Sequence, residues 1–158
     1  MKMKKIISLA IIAAIIAFAV PAFAVNTVTN YTGSRTVFSS HDLGKIYVVE
    51  NTVSFGAGAG SGDIYKCIGV PKGAAVLAVS AEVLTASSNP TAAFGIGDSG
   101  SITQYVGSTA ATNVAITAAA YTTQKQYTSA ADDIRLTTTA VCTGGTVRVR
   151  AVIADLSK

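Results

Sequence analysis

The stretch that decides the fold, DIYKCIGVPKGAAVLAVSAEVLT, runs from Asp63 to Thr85. It holds two apolar runs of β-type composition, joined by residues 70–73, Val-Pro-Lys-Gly. Proline fixes φ near −65° and glycine tolerates a positive φ, so this tetrapeptide predicts a tight turn. After the turn, apolar residues alternate with small or polar ones, which is typical of a strand with one buried face. The residues of the apolar set are Leu77, Val79, Ala81 and Val83.

A second stretch with the same organisation, Asp133 to Asp155, lies near the C-terminus. Two alternating runs flank Gly144-Gly145, a dipeptide typical of hairpin turns. We therefore predict a β-hairpin in each stretch, and because a lone hairpin is marginal in water, we expect the two to share one core. The alternating set of the second stretch is Ile134, Leu136, Thr138, Ala140, Val147, Val149, Ala151 and Ile153.

The rest of the chain contains turn signals every eight to twelve residues and no long amphipathic helix. The pattern predicts an all-β protein, an antiparallel β-sandwich or jelly-roll-like fold of about eight short strands. We expect a signal peptide at 1–24, an extended N-terminal arm at 25–44 and the sandwich at 45–158. The arm contains one expected edge strand, at 35–39. Residues 107–120 are compatible with a helix, but their composition favours a strand followed by a loop.

The first 24 residues have the organisation of a secretory signal peptide. Lys2, Lys4 and Lys5 precede an apolar helix-forming run, and Ala22-Phe23-Ala24 provides small residues at positions 22 and 24 for cleavage after Ala24. An uncleaved membrane anchor and a buried apolar helix are the alternatives, but the run of about 15 residues is short for a span of ~20. The sequence predicts a secreted or cell-surface protein, periplasmic if retained, that meets a membrane only before cleavage.

Charge gives little support for a nucleic-acid or lipid partner. The chain has 12 Lys and Arg against eight Asp and Glu, a net charge of +4. Removing the three lysines of the signal leaves nine against eight, close to neutrality. The remaining composition, rich in small and β-branched residues and poor in charge, suits closely packed β-structure and surfaces buried against copies of the same chain.

The two cysteines, Cys67 and Cys142, are the candidates for a possible disulfide in an oxidising compartment. A bridge would close a loop of about 76 residues and contribute roughly 4–5 kcal/mol in the chain-entropy model. The alternative is two separate buried thiols, since Cys67 lies within an apolar run.

No pattern in the sequence predicts catalysis or a cofactor. Ser40-His41-Asp42 consists of adjacent residues, whose side chains diverge, so a polar turn is favoured over a catalytic triad. Residues 95–100, GIGDSG, match G-x-G-x-x-G literally. The dinucleotide motif requires a helix at its last glycine, whereas residues 101–106 have the composition of a strand, so a β-turn is favoured.

Two sets of charged residues are candidates for binding. Four aspartates could hold Ca²⁺, but no calcium-loop spacing is present, and we predict no metal site. Three arginines are expected to share the outward face of the last hairpin, either as a solvated face or as a contact for a partner or subunit. The aspartates are Asp98, Asp132, Asp133 and Asp155, and the arginines are Arg135, Arg148 and Arg150.

The order of motifs between 63 and 155 resembles small structural proteins of tailed bacteriophages, of the capsid-decoration and head-fibre type. It is carried by DIYKCIGVPKGAAVLAVSAEVLTAS, AAFGIGDSG and SAADDIRLTTTAVCTGGTVRVRAVIAD. The resemblance implies a β-sandwich that acts by self-association or by docking on a protein lattice, without catalysis. The signal peptide departs from it, because capsid proteins assemble in the cytoplasm.

We therefore expect an exported, non-enzymatic structural protein that assembles with itself in an extracellular layer, filament or phage-derived particle. The partners are other copies of the chain, or a cell-surface or capsid protein lattice. Tyr31, Val37 and Phe38 of the arm are the expected contacts, together with the three arginines, because an extended arm can add a strand to a neighbour. The alternative is a secreted carbohydrate- or protein-binding module, with Tyr105, Tyr121 and Tyr127 stacking on sugars.

Overall fold

The computed structural model describes residues 27–29, 34–39, 45–56, 58–118 and 124–156. These residues form eleven strands packed as two sheets, and this confirms the predicted all-β sandwich. Three of the strands have only two or three residues, so the longer ones match the expected number of about eight. The strands are β1 Thr27–Thr29, β2 Ser34–Ser39, β3 Lys45–Ser54, β4 Ile64–Val70, β5 Ala74–Thr85, β6 Ala93–Gly97, β7 Val106–Ala110, β8 Ile116–Ala118, β9 Lys125–Gln126, β10 Asp132–Thr138 and β11 Thr146–Asp155.

Sheet I has the order β1-β4-β10-β6-β7, and sheet II has the order β2-β3-β11-β5-β8, with β9 also paired to β5. Every pairing is antiparallel except that of β1 with β4. Consecutive strands mostly alternate between the sheets, as in jelly-roll-like folds. The part of the chain that the structure describes contains no helix that could cross a membrane.

The two stretches that were expected to be hairpins are crossovers between the sheets. The chain leaves sheet I in β4, turns at Gly73 with a φ of 87°, and enters sheet II in β5. It makes the same passage from β10 to β11 through Gly144 and Gly145, which also have positive φ. The turns are where the sequence predicts them, but the hairpin prediction is wrong, because β4 pairs with β10 and β5 pairs with β11.

This pairing places both stretches around one interior. The strands β4 and β10 cover it from sheet I, and β5 and β11 cover it from sheet II. Each fully buried Val, Leu or Ile contributes about 1.5–3 kcal/mol, so this interior provides most of the driving force for folding. The expectation of a shared core is confirmed by one buried cluster that includes Ile68, Val70, Val76, Val79, Val83, Ile134, Leu136, Val147, Val149 and Ile153.

The predicted arm contributes a strand to each sheet of the same chain. Residues 27–29 run parallel to the start of β4, and residues 34–39 run antiparallel to the start of β3. The signal peptide at 1–24, with Ala22 and Ala24, lies outside the described residues, and its cleavage stays a prediction. The same holds for Tyr31 and for the Ser40-His41-Asp42 turn.

Candidate functional site

The three arginines are divided between the two outer faces of the sandwich. Arg135 lies on β10 of sheet I, whereas Arg148 and Arg150 lie on β11 of sheet II. The shared face expected for them does not exist, because β10 and β11 belong to different sheets. The structure therefore does not bring the predicted arginine contact together.

On sheet II the arginines are neutralised by glutamates of the flanking strands. Arg148 Nε lies 3.2 Å from Glu82 Oε2, and Arg150 Nε donates a 2.9 Å hydrogen bond to Glu50 Oε2. Arg150 also lies 3.7 Å from Glu82. Partly exposed surface pairs of this kind contribute about 0–1 kcal/mol each, so their main effect is to neutralise the positive charge of Arg148 and Arg150.

On sheet I the charges are paired in the same way. Lys66 Nζ lies 3.3 Å from Asp133 Oδ2, and Arg135 Nη2 lies 3.6 Å from Asp132 Oδ1 and 3.4 Å from Asp133 Oδ2. Two of the four candidate calcium ligands are thus engaged by cations. Among the described residues, no group of three or more His, Cys, Asp or Glu side chains is placed to hold a metal ion.

The third candidate ligand, Asp98, is the centre of a buried polar cluster at the end of β6. Its side chain is 2% exposed and accepts hydrogen bonds from the Gly100 and Ser101 amides at 2.8 and 3.0 Å. Lys125 Nζ also bonds to its carboxylate, and the Tyr127 hydroxyl donates to it at 2.8 Å. Because Lys125 lies on β9 and Asp98 follows β6, the carboxylate joins sheet II to sheet I.

The electrostatics of this cluster follow from its hydrogen bonds. Burial by itself raises the pKa of Asp98, but the bonds from Lys125, Tyr127 and the two amides outweigh it and lower the pKa below its ordinary value of 3.8. Burial raises the pKa of Tyr105 to about 12, and Tyr105 shares a hydrogen bond with the Tyr127 hydroxyl. The buried polar groups of this cluster all have hydrogen-bond partners within the chain, so the cluster stabilises the fold.

Two of the three tyrosines that were candidates for sugar stacking do not present their rings to solvent. Tyr105 and Tyr127 are 4% and 6% exposed, and their hydroxyls end in the Asp98 cluster. Tyr121 lies outside the described residues. The carbohydrate-binding alternative therefore loses two of the three aromatic side chains on which it relied.

The predicted disulfide is not supported, because Cys67 and Cys142 are both free and buried. Cys67 lies in β4, and its thiol contacts the Tyr65 carbonyl. Cys142 lies in the β10–β11 crossover, where its backbone pairs with that of Ala59. Burial raises the pKa of Cys67 to about 12 and also raises that of Cys142, so both behave as small apolar side chains.

A cleft of about 700 Å³ opens between β3 and β4. Apolar residues such as Tyr47 and Ile68 line it, together with three aspartates, Asp132, Asp133 and Asp155. Asp132 and Asp133 pair with Arg135, and Asp155 also takes part in an electrostatic or hydrogen-bonding interaction. The acidic groups are thus already used within the chain, and the cleft is not a preformed cation site.

One lateral edge of the sandwich is formed by β7 in sheet I and by β8 and β9 in sheet II. We call residues 106–118, which comprise β7, β8 and their connection, the uncharged edge. No charged residue occurs anywhere in 99–124. Val114 and Ile116 are 69% and 68% exposed, more than any other large apolar side chain among the described residues. Exposed apolar residues on an unpaired sheet edge are typical of association sites.

Sequence reasoning did not find this edge, because its strands are short and 107–120 has mixed propensities. The signal that could have found it is the absence of charge from 99 to 124, combined with the Val114–Ile116 alternation. The arm residues Val37 and Phe38 lie on β2, where their register partners are Tyr47 and Ile46 of the same chain, and their role as assembly contacts stays a prediction.

The fold has counterparts among solved virus structures. One chain of the cyanophage Pam1 capsid asymmetric unit aligns with a TM-score of 0.62 and 24% identity, over 85% of this chain and 98% of that one. A chain of the Ralstonia phage GP4 capsid aligns with a TM-score of 0.61 and 12% identity, over 84% and 99%. A chain of the acidic stable capsid of Helicobacter pylori bacteriophage KHP30 aligns with a TM-score of 0.54 and 14% identity, over 78% and 95%.

No protein-family model and no curated protein match the sequence. At these identities the three structural likenesses show the fold, which is a two-sheet β-sandwich of a kind found in phage capsids.

Proposed function

We propose that the protein is a non-enzymatic structural subunit of capsid-decoration type, which assembles with copies of itself or on a phage-derived protein lattice. The observation that supports this most is the extent of the structural likeness. Almost the whole of each matched capsid chain, 95–99% of its length, corresponds to this one sandwich. In each of these capsid structures, the shared unit is thus nearly an entire chain.

The use of the titratable groups agrees with a structural role. In the interior, the Tyr127 hydroxyl donates a hydrogen bond to the Asp98 carboxylate, and Cys67 is buried with a raised pKa. On both outer faces the arginines pair with carboxylates. These groups are engaged within the chain and stabilise the fold and its surface.

We propose further that residues 1–24 direct export, so that assembly takes place outside the cytoplasm, in a layer, a filament or a phage-derived particle. The test is the N-terminal sequence of the protein recovered from the medium and from the cell surface. Export predicts Val25 as the first residue, and Ala24→Arg should abolish cleavage because the site requires a small residue. Intracellular protein that begins at Met1 and is incorporated into virions would contradict export.

Electron microscopy of the purified protein tests the structural role. We expect rings, sheets, filaments or particles with a regular subunit spacing. The control is the same protein carrying Leu136→Ala, which removes a fully buried core side chain and should abolish ordered assemblies by destabilising the subunit. Images of separate monomers only, from folded wild-type protein at high concentration, would contradict the proposal.

A further inference from the structure

The two sheets end differently on the two sides of the sandwich. On one side β1 and β2, the strands of the N-terminal arm, pair with β4 and β3. On the other side β7 pairs with β6 and β8 pairs with β5, and no further strand among the described residues covers β7 or β8. The strands β7 and β8 also contact each other. The uncharged edge is therefore a continuous border made from both sheets.

Backbone groups of β8 are available along this border. The Val83 amide donates to the Ala115 carbonyl, and Thr117 is the register partner of Ala81. In an antiparallel ladder every second residue bonds to the same neighbour, so the N–H and C=O of Ile116 point away from β5. The Ile116 side chain is on the same face as its register partner Glu82, with Val114 two residues before it.

Strand direction indicates which partner strand fits. Four antiparallel pairings separate β2 from β8 in sheet II, so these two border strands run in the same direction. A copy related by translation would therefore place β2 parallel to β8. A copy related by a two-fold axis perpendicular to the sheet would place a second β8 antiparallel to the first. Antiparallel pairs outnumber parallel ones two- to three-fold, and two-fold dimers are the commonest oligomers.

Charge favours the same arrangement. A two-fold contact brings residues near the axis close to their own copies, so a charge there would meet a like charge. Residues 99–124 carry none, and Lys125 of β9, which lies on the same border of sheet II, is paired with Asp98, whereas β2 carries Arg35. The nearest charged side chain on the adjacent strand, Glu82, is paired with Arg148 and Arg150.

We propose that two copies of this chain pair through their uncharged edges, β8 antiparallel to β8, so that sheet II continues across a two-fold axis. The contact buries Val114 and Ile116 of both copies. This inference rests on the proposed self-assembly and names the surface that carries it.

Sedimentation velocity and cross-linking of the full chain test the contact. Ile116→Lys places a charge at the border and should weaken self-association by about tenfold or more. The control Val141→Lys makes the same change at an apolar residue that is 45% exposed but lies in the β10–β11 crossover, and it should associate like wild type. Thermal melts of both variants check that the subunit remains folded.

Single cysteines distinguish the two-fold pair from a head-to-tail chain. With a short bismaleimide, Val114→Cys or Ile116→Cys should give a covalent dimer and nothing larger, while Val141→Cys should stay monomeric. Cys67 and Cys142 are buried and should not react. Absence of the dimer from both edge cysteines overturns the inference, as does association of Ile116→Lys that equals wild type. If microscopy still shows assemblies in that case, the proposed function stands and only the contact is wrong; a wild type that is monomeric throughout contradicts both.

Discussion

Gly97 lies where two segments of backbone come closest. A Cβ on Gly97 would stand 1.8 Å from the Ser101 carbonyl oxygen and 2.5 Å from the Ile102 carbonyl carbon. A Cβ on Gly95 would stand 2.9 Å from the Ile102 oxygen. The first two glycines of the G-x-G-x-x-G match therefore allow the chain after β6 to fold back on the strand. This agrees with the β-turn interpretation, but the strand expected over 101–106 is wrong, because residues 102–105 form turns and bends and β7 begins only at Val106.

Gly97→Ala should consequently destabilise the protein by about 3 kcal/mol or more, because backbone atoms must move to admit the methyl group. Gly107→Ala is the matched control, since a Cβ there meets nothing within 4 Å. It should leave the free energy of unfolding unchanged or raise it by up to about 1 kcal/mol. Urea titration measures both variants, and equal effects would show that close approach is not why Gly97 is a glycine.

The Asp98 carboxylate accepts hydrogen bonds from four donors, so replacing this residue should lower the free energy of unfolding substantially. Asp98→Ala leaves the Tyr127 hydroxyl and the Gly100 and Ser101 amides without their acceptor, and we expect a loss of about 2–4 kcal/mol. Asp132→Ala is the control, because Asp132 makes an exposed hydrogen bond with Ser99 and a partly buried ion pair with Arg135, which together contribute about 1 kcal/mol. Denaturant unfolding of both variants measures the difference, and similar losses would contradict the central role of Asp98.

The contribution of Asp98 should also depend on pH. Its pKa in the folded protein lies below the ordinary 3.8, so the stabilisation is fully present above that value and is lost as the pH falls through the folded-state pKa. The difference in unfolding free energy between wild type and Asp98→Ala should thus be constant near neutrality and shrink in acid. Unfolding titrations at a series of pH values measure it, and a difference that grows on acidification would contradict the assignment.

At the scale of the strands, alternation predicted the buried face of β11 correctly, since Val147, Val149, Ala151 and Ile153 are all buried. In β5 the alternation predicted a buried side chain at Leu77, which is only partly buried. The pairing with β11 shifts register between Val152 and Ile153, so Leu77 is skipped and Val76 faces the core in its place. A β-bulge of this kind leaves the sequence pattern almost intact, because it only exchanges which of two adjacent apolar residues is buried.

The bulge makes a testable difference between two apolar residues of β5. Val79→Ala should cost about 2 kcal/mol, because Val79 is buried in the core. Leu77→Ala removes a larger group but should cost less, about 1 kcal/mol, because Leu77 is only partly buried. Thermal or urea unfolding of the two variants measures their losses of stability, and a larger loss for Leu77→Ala than for Val79→Ala would contradict the bulge.

The strands also show why the positions of the turns were predicted correctly, whereas the pairings of the strands that the turns connect were not. Gly73, Gly144 and Gly145 have the positive φ that their turns require, and residue type alone indicates this. A turn shows that the chain reverses, but whether the next strand joins the same sheet depends on which distant strands bury its apolar face. The disulfide prediction failed for the same reason, because the positions of Cys67 and Cys142 are set by the sheets.

At the scale of the molecule, the distribution of charge distinguishes the outer faces from the uncharged edge, and this distinction could not be made from the sequence. Both outer faces carry paired charges, and the uncharged edge carries none. The sequence correctly predicted a charge-poor chain, but it placed the contact surface on the arm and the arginines. Finding the edge required the strand order, because only the order shows that β7 and β8 are border strands on the same side.

Sedimentation velocity of the purified protein over a wide concentration range tests the central claim most directly. The central claim is that the protein functions by associating with copies of itself or with a phage-derived protein lattice. We predict that the weight-average sedimentation coefficient rises with concentration above that of the monomer and falls again on dilution. A folded protein that sediments as a single monomer at every concentration would contradict the account.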